Sequence, residues 1–344
     1  MTAFSLDFAA LVLFLGVTGL GRIFIAWLPA ALKGGIILGA AIAALKRVFL
    51  DDYARFLAVQ PVATTLAVAV CLVLTFSAPI QKYKLQIPWL RKLAALGLLP
   101  GFLLAALIGP FVGSPPEIDY QIEWNPPLLI PPFGELFHQV SPLSIGWPSL
   151  DMFLAGIPLA LMAYTILFGD LVTGIEVLKA AMPARPDEKV VLDINRAHLS
   201  IGIRNALMSV LAPFFPSQGC LWTGVHVIIC QRWSEGRKEM DSLYGGIFSY
   251  YMFGIPFLYF IRPLVTGLKP LMGIALSLTL VLTGYACAYV AMSIPKTPNE
   301  RGVVLLSAVA LAVFSPWVGM LIGVLATLAL VGFPERPDRE GDPA

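Results

Sequence analysis

Long apolar runs alternate with short polar connections along the whole chain. A helix of about 20 apolar residues crosses the ~30 Å hydrocarbon core of a bilayer, so runs near this length predict membrane-spanning helices. The short segments predict tilted or broken helices, and the last two, separated by Pro316, predict a tight hairpin. Eleven apolar segments can be drawn, at about 5–28, 31–45, 56–80, 93–113, 150–178, 199–214, 217–231, 243–261, 270–293, 302–315 and 317–333. The pattern predicts an all-α polytopic membrane protein of about eleven spans.

The composition supports this interpretation and excludes several other classes of protein. Apolar residues make up 58% of the chain and charged residues 13%, against roughly 25% charged residues in a soluble domain. The formal net charge of +2 lacks the strongly basic character that nucleic-acid-binding proteins show. The four cysteines have no CxxC spacing and the three histidines are far apart, so neither disulfides nor a metal site are predicted. Because no nucleophile–base motif, phosphate loop or HExxH motif is present, we predict neither an enzyme nor a cofactor.

Lysine and arginine are distributed unevenly between the connections. If the N-terminus lies outside, most of the 23 Lys and Arg residues fall in inside connections, as the positive-inside rule expects. We therefore predict a multi-pass protein of the cytoplasmic (inner) membrane, with a cytoplasmic C-terminal tail at 334–344. The longest outside connection, 114–149, carries four acidic residues and eight prolines but no Lys or Arg. Because proline stiffens the chain, this connection is predicted to be an ordered, extended extracytoplasmic cap, with a ligand gate as the alternative.

The apolar run 199–231 is interrupted in its middle. Pro213, Pro216 and Gly219 break it, with Ser217 and Gln218 between them. A break in hydrocarbon leaves backbone N–H and C=O groups bare, so such breaks occur where they line a cavity or are covered by protein. The amides that begin the second half-helix, near Gly219, carry partial positive charge and would point into the break. The run therefore predicts a substrate site or, alternatively, a tight interfacial hairpin turn.

Other polar residues in these segments are candidates for the same site. Asp170 closes an apolar run and could be an interfacial acid, a substrate ligand or the carrier of a coupling proton. Thr173 follows at i+3, so its hydroxyl shares a helical face with that carboxylate. Arg204 lies within its apolar segment, where a guanidinium needs a carboxylate, carbonyl or water partner. It could bind a substrate anion or form a structural ion pair with Asp170. Thr223 and His226, at i and i+3 after the break, also share a face, and His226 is predicted to be a packing residue.

Four pieces of the chain carry a family resemblance. They are LPAALKGGIILGAAIAAL (28–45), GDLVTGIEVLKAA (169–181), IGIRNAL (201–207) and FFPSQGCLWTGVHVIICQRW (214–233). The first resembles a gate helix, and the other three resemble the second-repeat core, of the nucleobase–ascorbate transporter (xanthine/uracil permease) family. That family shares its fold with sulfate permease-type anion transporters.

The resemblance implies a core and a gate domain built from two inverted repeats of seven spans each. On that pattern the chain starts at about the fourth span and lacks the first three, so that 1–30 is a remnant of the first-repeat core. Residues 31–113 and 263–333 correspond to gate spans of the first and second repeats. Residues 150–262 correspond to the second-repeat core, with its broken helix at 213–219.

The resemblance also implies a function and a site. It implies a secondary-active permease that moves a small polar, nucleobase-like solute, coupled to a proton or sodium ion, and a homodimer formed through the gate spans. Asp170, Gln218 and Thr223 would line the site. Gly219 would allow close backbone approach, with Thr173 and Arg204 beside it. Two carboxylate positions of the nucleobase carriers hold Ile166 and Thr223 here, so a small anion such as sulfate or a carboxylate is an alternative substrate. A truncated, non-transporting membrane protein is the other alternative.

Overall fold

Helices dominate the protein. The computed structural model describes residues 1–84, 86–112, 121–130, 132–211, 223–238, 240 and 260–332. The α-helices are α1 (Thr2–Thr18), α2 (Leu20–Trp27), α3 (Ala30–Lys46), α4 (Pro61–Phe76), α5 (Ala78–Tyr83), α6 (Pro88–Ala95), α7 (Leu99–Ile108), α8 (Phe133–Val140), α9 (Pro142–Ile145), α10 (Leu150–Ala181), α11 (Ile194–Leu211), α12 (Thr223–Ser234), α13 (Arg262–Leu268), α14 (Met272–Ser293), α15 (Pro298–Val313) and α16 (Pro316–Leu330). Within these ranges, β-type backbone pairing consists of an isolated antiparallel bridge between Leu128 and Ile261. The predicted all-α class is confirmed.

Two continuous helical stretches are long and apolar enough to cross a membrane, Leu150–Ala184 and Arg262–Ser293. Two bent pairs of helices pass the same test if each pair counts as one span, α1 with α2 and α6 with α7. The chain is therefore an all-α membrane protein, but its described residues contain two to four such spans, not the eleven counted from the sequence. The count differs in part because several apolar runs fold into helices shorter than the ~20 residues that a crossing needs. Pro61–Phe76 and Pro316–Leu330 are examples. The run 243–261, and parts of 199–214 and 217–231, lie outside the described residues.

Glycines in the left-handed region of backbone conformation mark the two bends. Gly19, with φ of 73°, separates α1 from α2, and the two helix axes meet at 82°. Gly97, with φ of 60°, lies in the turn between α6 and α7, which meet at 83°. Residues with a Cβ adopt this conformation only at a cost, so glycine permits the sharp turn. The runs 5–28 and 93–113 are thus each bent rather than straight.

The chain divides into two compact units, each with its own core. The first consists of Met1–Ala40, Pro132–Thr223 and Cys287–Ala344, and the second of Ala41–Pro131 and Gly224–Ala286.

In the first unit, α1 packs along α10 and runs in the same direction. Phe8 and Val12 of α1 share a buried cluster with Ala160 and Leu167 of α10. A Cβ built on Gly156 of α10 would meet the backbone of Phe4 at 3.3 Å, so these two positions are level with each other.

Helix α11 packs against α1 in the opposite direction. A Cβ on Gly202 would lie 2.6 Å from the side chain of Leu13, and a Cβ on Gly16 would lie 3.0 Å from Cβ of His198. Moving forward along α1 therefore means moving backward along α11. The buried residues of α11 are His198, Ile201, Gly202, Asn205 and Ser209.

The first unit also contains a close crossing of α3, α15 and α16. A Cβ on Gly35 of α3 would lie 2.5 Å from Cβ of Ser307, and one on Gly323 of α16 would lie 3.0 Å from Oγ of the same serine. A Cβ on Gly319 would lie 2.6 Å from Cα of Leu311. Only Phe314 and Ser315 separate α15 from α16, which confirms the predicted hairpin.

The second unit is organised around α4, α7 and the part of α14 that ends at Ala286. Ala67, Cys71, Ala105 and Leu278 are fully buried in its core. Outside this core, the described part of the proline-rich connection, 121–130, is extended and is bonded to the start of α13.

Main-chain and side-chain bonds both hold that connection to α13. Leu129 N–H donates to Phe260 O at 2.7 Å, and Arg262 N–H donates to Pro127 O at 3.0 Å. The guanidinium of Arg262 also forms an ion pair with Glu123. The connection is therefore fixed along this stretch.

Candidate functional site

Asp170 and Thr173 lie in the second half of α10. Thr173 is buried, and its Oγ1 donates to the carbonyl of Gly169 at 2.8 Å. The hydroxyl proton is therefore engaged by the helix backbone, and only the oxygen lone pairs are left for a ligand. Asp170 is half-buried.

Arg204 lies on the outer side of α11. Its side chain is exposed, between the exposed apolar residues Ile203 and Leu207. The contacts of α10 and α11 with α1 fix how far along the bundle axis each residue lies, because a helix rises about 1.5 Å per residue. Measured along this axis from Phe4, Asp170 lies about 21 Å away and Arg204 about 10 Å away in the same direction. The two are separated by roughly 10 Å along the bundle axis, so these registers favour a role for Arg204 other than an ion pair with Asp170.

The remaining predicted site residues surround the expected helix break. Gln218 and Gly219, and the break at 213–219, lie outside the described residues. Thr223 is the first residue of α12. In α12, Nε2 of His226 lies 3.6 Å from Sγ of Cys230, one turn away. The described part of the chain thus positions Asp170, Thr173 and Arg204, and the broken-helix site stays a prediction.

Asp7 of α1, which the sequence analysis did not single out, lies against α10. A Cβ on Gly156 of α10 would clash with Oδ2 of Asp7, so a glycine is needed for the carboxylate to fit there. That oxygen is buried and has no hydrogen-bond partner among the residues the structure describes. A lone acid in an apolar membrane segment is by default a candidate for function, and this signal was present in the sequence.

Tyr164 and His198 form a buried hydrogen-bonded pair between α10 and α11. The Tyr164 hydroxyl lies 3.1 Å from Nε2 of His198, and Nδ1 of the same ring lies 2.8 Å from the carbonyl of Ile194. His198 is fully buried. Both ring nitrogens are thus bonded within the first unit.

The bend between α1 and α2 wraps around this histidine. A Cβ on Gly21 would lie 2.7 Å from Cε1 and Nε2 of His198, and Gly16 touches the same residue from α1. Phe24 of α2 then packs edge-on against Phe168 of α10, with ring centroids 5.5 Å apart. The spacing of the glycines in GVTGLG (16–21) could have indicated this close packing.

An ion pair joins α3 to α10 in the same unit. Nζ of Lys33 lies 3.5 Å from Oε1 of Glu176, and both side chains are only 16% exposed. Lys179 approaches the same carboxylate oxygen at 3.2 Å. Glu176 is thus largely buried and lies between two lysines.

A second charged cluster lies in the connection after α10. Nε of Arg185 donates to Asp187 at 2.8 Å, and its Nη2 bonds to Glu188. The hydrogen bonds from Asp187, with those from Glu188, raise the pKa of Arg185 above its usual value. This arginine therefore stays charged at every accessible pH.

Metal and thiol chemistry has little support among the described residues. No group of three or more His, Cys, Asp or Glu side chains within them is arranged to hold a metal ion. Cys71, Cys230 and Cys287 are buried free thiols.

No protein-family model and no curated protein matches this chain. The resemblance to the nucleobase–ascorbate transporters therefore rests on the sequence pieces quoted above.

Proposed function

We propose that this chain is a secondary-active permease, similar to xanthine/uracil permeases, that moves a small polar solute across the inner membrane with proton coupling. The observation that carries the proposal is the set of ionisable groups packed between apolar helices of the first unit. Asp7, His198 and the pair Lys33–Glu176 all lie there. Such groups are costly in an apolar setting, and in membrane proteins they mark substrate pathways and proton relays.

The transport cycle that we propose is a movement of core against gate. Residues 150–262 would form the moving core, and 31–113 with 263–333 the gate, as in the inverted-repeat transporters that the sequence resembles. The C-terminal tail would be cytoplasmic, and the gate spans would join two copies into a homodimer. Lys33 and Glu176 join the proposed gate helix to the proposed core helix, so their ion pair would break and re-form in the cycle.

The proposed substrate site combines helix α10 with the break before α12. The carboxylate of Asp170 would bind a solute N–H or a coupling proton. Thr173 would offer oxygen lone pairs, since its proton is bonded to the backbone. Gln218, Gly219 and Thr223 would supply amide and hydroxyl groups from the break. Arg204 would support the site or attract an anion.

A small anion is the second candidate substrate. It is favoured by the replacement of two expected carboxylate positions with Ile166 and Thr223, and by the cationic Arg204 between the exposed apolar residues Ile203 and Leu207. Without those carboxylates, the site lacks two acceptors for the N–H edge of a nucleobase. By contrast, the backbone N–H groups at the start of a half-helix suit an anion.

Uptake into proteoliposomes tests the proposal. Purified protein is reconstituted with an acidic exterior, and accumulation of labelled uracil or xanthine is compared with that of labelled sulfate and succinate. We expect saturable accumulation of a nucleobase. A protonophore should abolish this accumulation, and sulfate should not compete with it. Accumulation of sulfate or succinate alone would establish the anion alternative. A folded protein that moves and binds none of these solutes would contradict the permease proposal.

A substitution of Asp170 tests its role in coupling. Asp170→Asn should abolish accumulation, whereas Asp151→Asn, which changes an exposed acid at the start of the same helix, should not. If Asp170→Asn still accumulates solute against a gradient, the carboxylate has no part in coupling.

A further inference from the structure

The environment of Asp7 is unusual for a carboxylate. Its Oδ2 is buried, lies against Gly156 of α10, and accepts no hydrogen bond from the part of the chain that the structure describes. Backbone contact between the two helices is close here, because Gly156 lacks the Cβ that would occupy the same space. The helix α10 also carries Pro158 two residues further on. Proline inside a helix removes a backbone hydrogen bond and locally weakens the helix.

Among the described residues, no charged group forms an ion pair with this carboxylate. Helix α1 carries no other charged side chain. The titratable and charged groups of α1 and the helices packed on it are the amino group of Met1 before α1, Arg22 on α2, Asp151, Tyr164, Asp170, Glu176 and Lys179 on α10, and Arg196, His198 and Arg204 on α11. By the helix registers, the groups on α10 and α11 lie at least about 6 Å from Asp7 along the bundle axis. The nearest, Arg204, has its side chain exposed on the outer side of α11.

If the carboxylate were ionised here, its buried Oδ2 would have lost water without gaining a hydrogen bond from the described residues. Such a state is strongly unfavourable in an apolar environment, and the group becomes neutral instead. A neutral carboxylic acid carries one O–H donor and can stay buried against the helix at much lower cost. The close packing of α1 on α10 therefore selects the protonated acid.

We propose that Asp7 is a proton-binding site, occupied while α1 lies against Gly156 and emptied to water when the two helices separate. The coupling role of this site rests on the permease function proposed above. One proton from water binds one carboxylate oxygen as the helices close, and the same proton returns to water as they open. No other bond forms or breaks.

The location of the site makes it suitable for coupling. Asp170 of the proposed substrate site lies on α10 about 16 Å further along the bundle axis than Asp7, by the same registers. One helix would thus contact the proton site near its start and the solute site in its second half. A movement of α10 relative to α1 would change both sites together.

Infrared difference spectroscopy of the full chain in lipid tests proton binding directly, without any need for transport. We expect wild type at neutral pH to show the C=O stretch of a protonated carboxyl group that shifts in D₂O. Asp7→Asn should lose that band, and Asp151→Asn, the matched change of an exposed acid, should keep it. A wild type without the band, or an Asp7→Asn variant that retains it, would overturn the proposal.

A transport assay separates the coupling role from the function itself. Asp7→Asn mimics the protonated acid in size and charge, so it should still exchange internal for external solute but lose accumulation driven by a pH gradient. Accumulation by Asp7→Asn equal to that of Asp151→Asn would overturn the coupling role. If wild type moves no solute but still shows the band, the permease proposal fails and the proton site stands.

A second variant acts on the other side of the contact. Gly156→Ala places a methyl group where Oδ2 lies, so the carboxylate should move out to water and the protonated band at neutral pH should weaken. An unchanged band in Gly156→Ala would show that the contact with α10 does not hold the proton.

Discussion

The hydroxyl of Tyr164 lies 3.1 Å from Nε2 of His198, and this contact joins α10 to α11 across a fully buried imidazole. Nδ1 of the ring lies 2.8 Å from the carbonyl of Ile194. Because a carbonyl only accepts, Nδ1 carries a hydrogen. In the neutral ring Nε2 then accepts from the tyrosine O–H. The orientation of the buried ring is thereby fixed from both sides.

Removing the tyrosine hydroxyl should destabilise the protein. In Tyr164→Phe the buried Nε2 of His198 loses its donor, and an unsatisfied buried acceptor costs about 1–3 kcal/mol. Thermal unfolding in detergent or nanodiscs should show a lower Tm than wild type. Tyr289→Phe is the matched control, because Tyr289 is 75% exposed. Equal Tm values for the two variants would contradict the structural role of this bond.

The bend around His198 should not accept a side chain at Gly21. A Cβ there would lie 2.7 Å from two ring atoms of His198, and overpacking of this kind costs about 1–3 kcal/mol. Gly302→Ala is the control, because a Cβ at Gly302 meets open space. Within a helix that exchange should be neutral or stabilising by up to ~1 kcal/mol. A Gly21→Ala protein as stable as Gly302→Ala would show that the bend is looser than described.

The Lys33–Glu176 pair should contribute more to stability than an exposed ion pair. Glu176→Gln leaves two lysines beside a neutral amide. Because the pair is 16% exposed on each side, we expect a loss of about 1–3 kcal/mol, below the 3–5 kcal/mol of a fully buried pair. Asp51→Asn breaks the more exposed pair with Lys46 and should change the free energy of unfolding by less than about 1 kcal/mol. Equal effects on chemical denaturation would refute the difference.

Glu300 should make stability depend on pH in the acid range. Its carboxylate accepts hydrogen bonds from the backbone N–H groups of Thr297 and Lys296, and these lower the pKa of Glu300 below 4.5. The stabilisation is therefore complete above pH 4.5 and is lost as pH falls through the lowered value. Glu300→Gln keeps a capping-box partner for Thr297 but cannot titrate. Its unfolding midpoint should fall less than that of wild type between pH 5 and 3, and identical acid profiles would contradict this.

Helix positions followed closely from the sequence, whereas helix breaks did not. The apolar runs 150–178 and 270–293 became Leu150–Ala181 and Met272–Ser293, because continuous apolar character is what a membrane helix requires. The break at Gly19 was missed. A single glycine inside an apolar run is often tolerated in a helix, and here packing around His198 decides its left-handed conformation.

The candidate site was only partly predictable for a similar reason. Spacing placed Asp170 and Thr173 on one side of a helix, but it could not show that the Thr173 hydroxyl bonds to its own backbone. Asp7 was visible in the sequence as a lone acid in an apolar segment, but its contact with Gly156, 149 positions later, was not. Which helix lies against an acid is set by tertiary packing, and a pattern along one segment does not contain that information.

The crossing of α3, α15 and α16 at Ser307 has a consequence for sequence evolution. Gly35 and Gly323 belong to different helices, yet a methyl group at either would displace the same serine side chain. The two positions are therefore epistatic: the first substitution moves Ser307, and the second meets a neighbour that has already moved. Contacting sites of this kind depart from additivity. An exchange of Ser307 for glycine would remove the neighbour that both positions share, and a methyl group at Gly323 would then still meet Leu32.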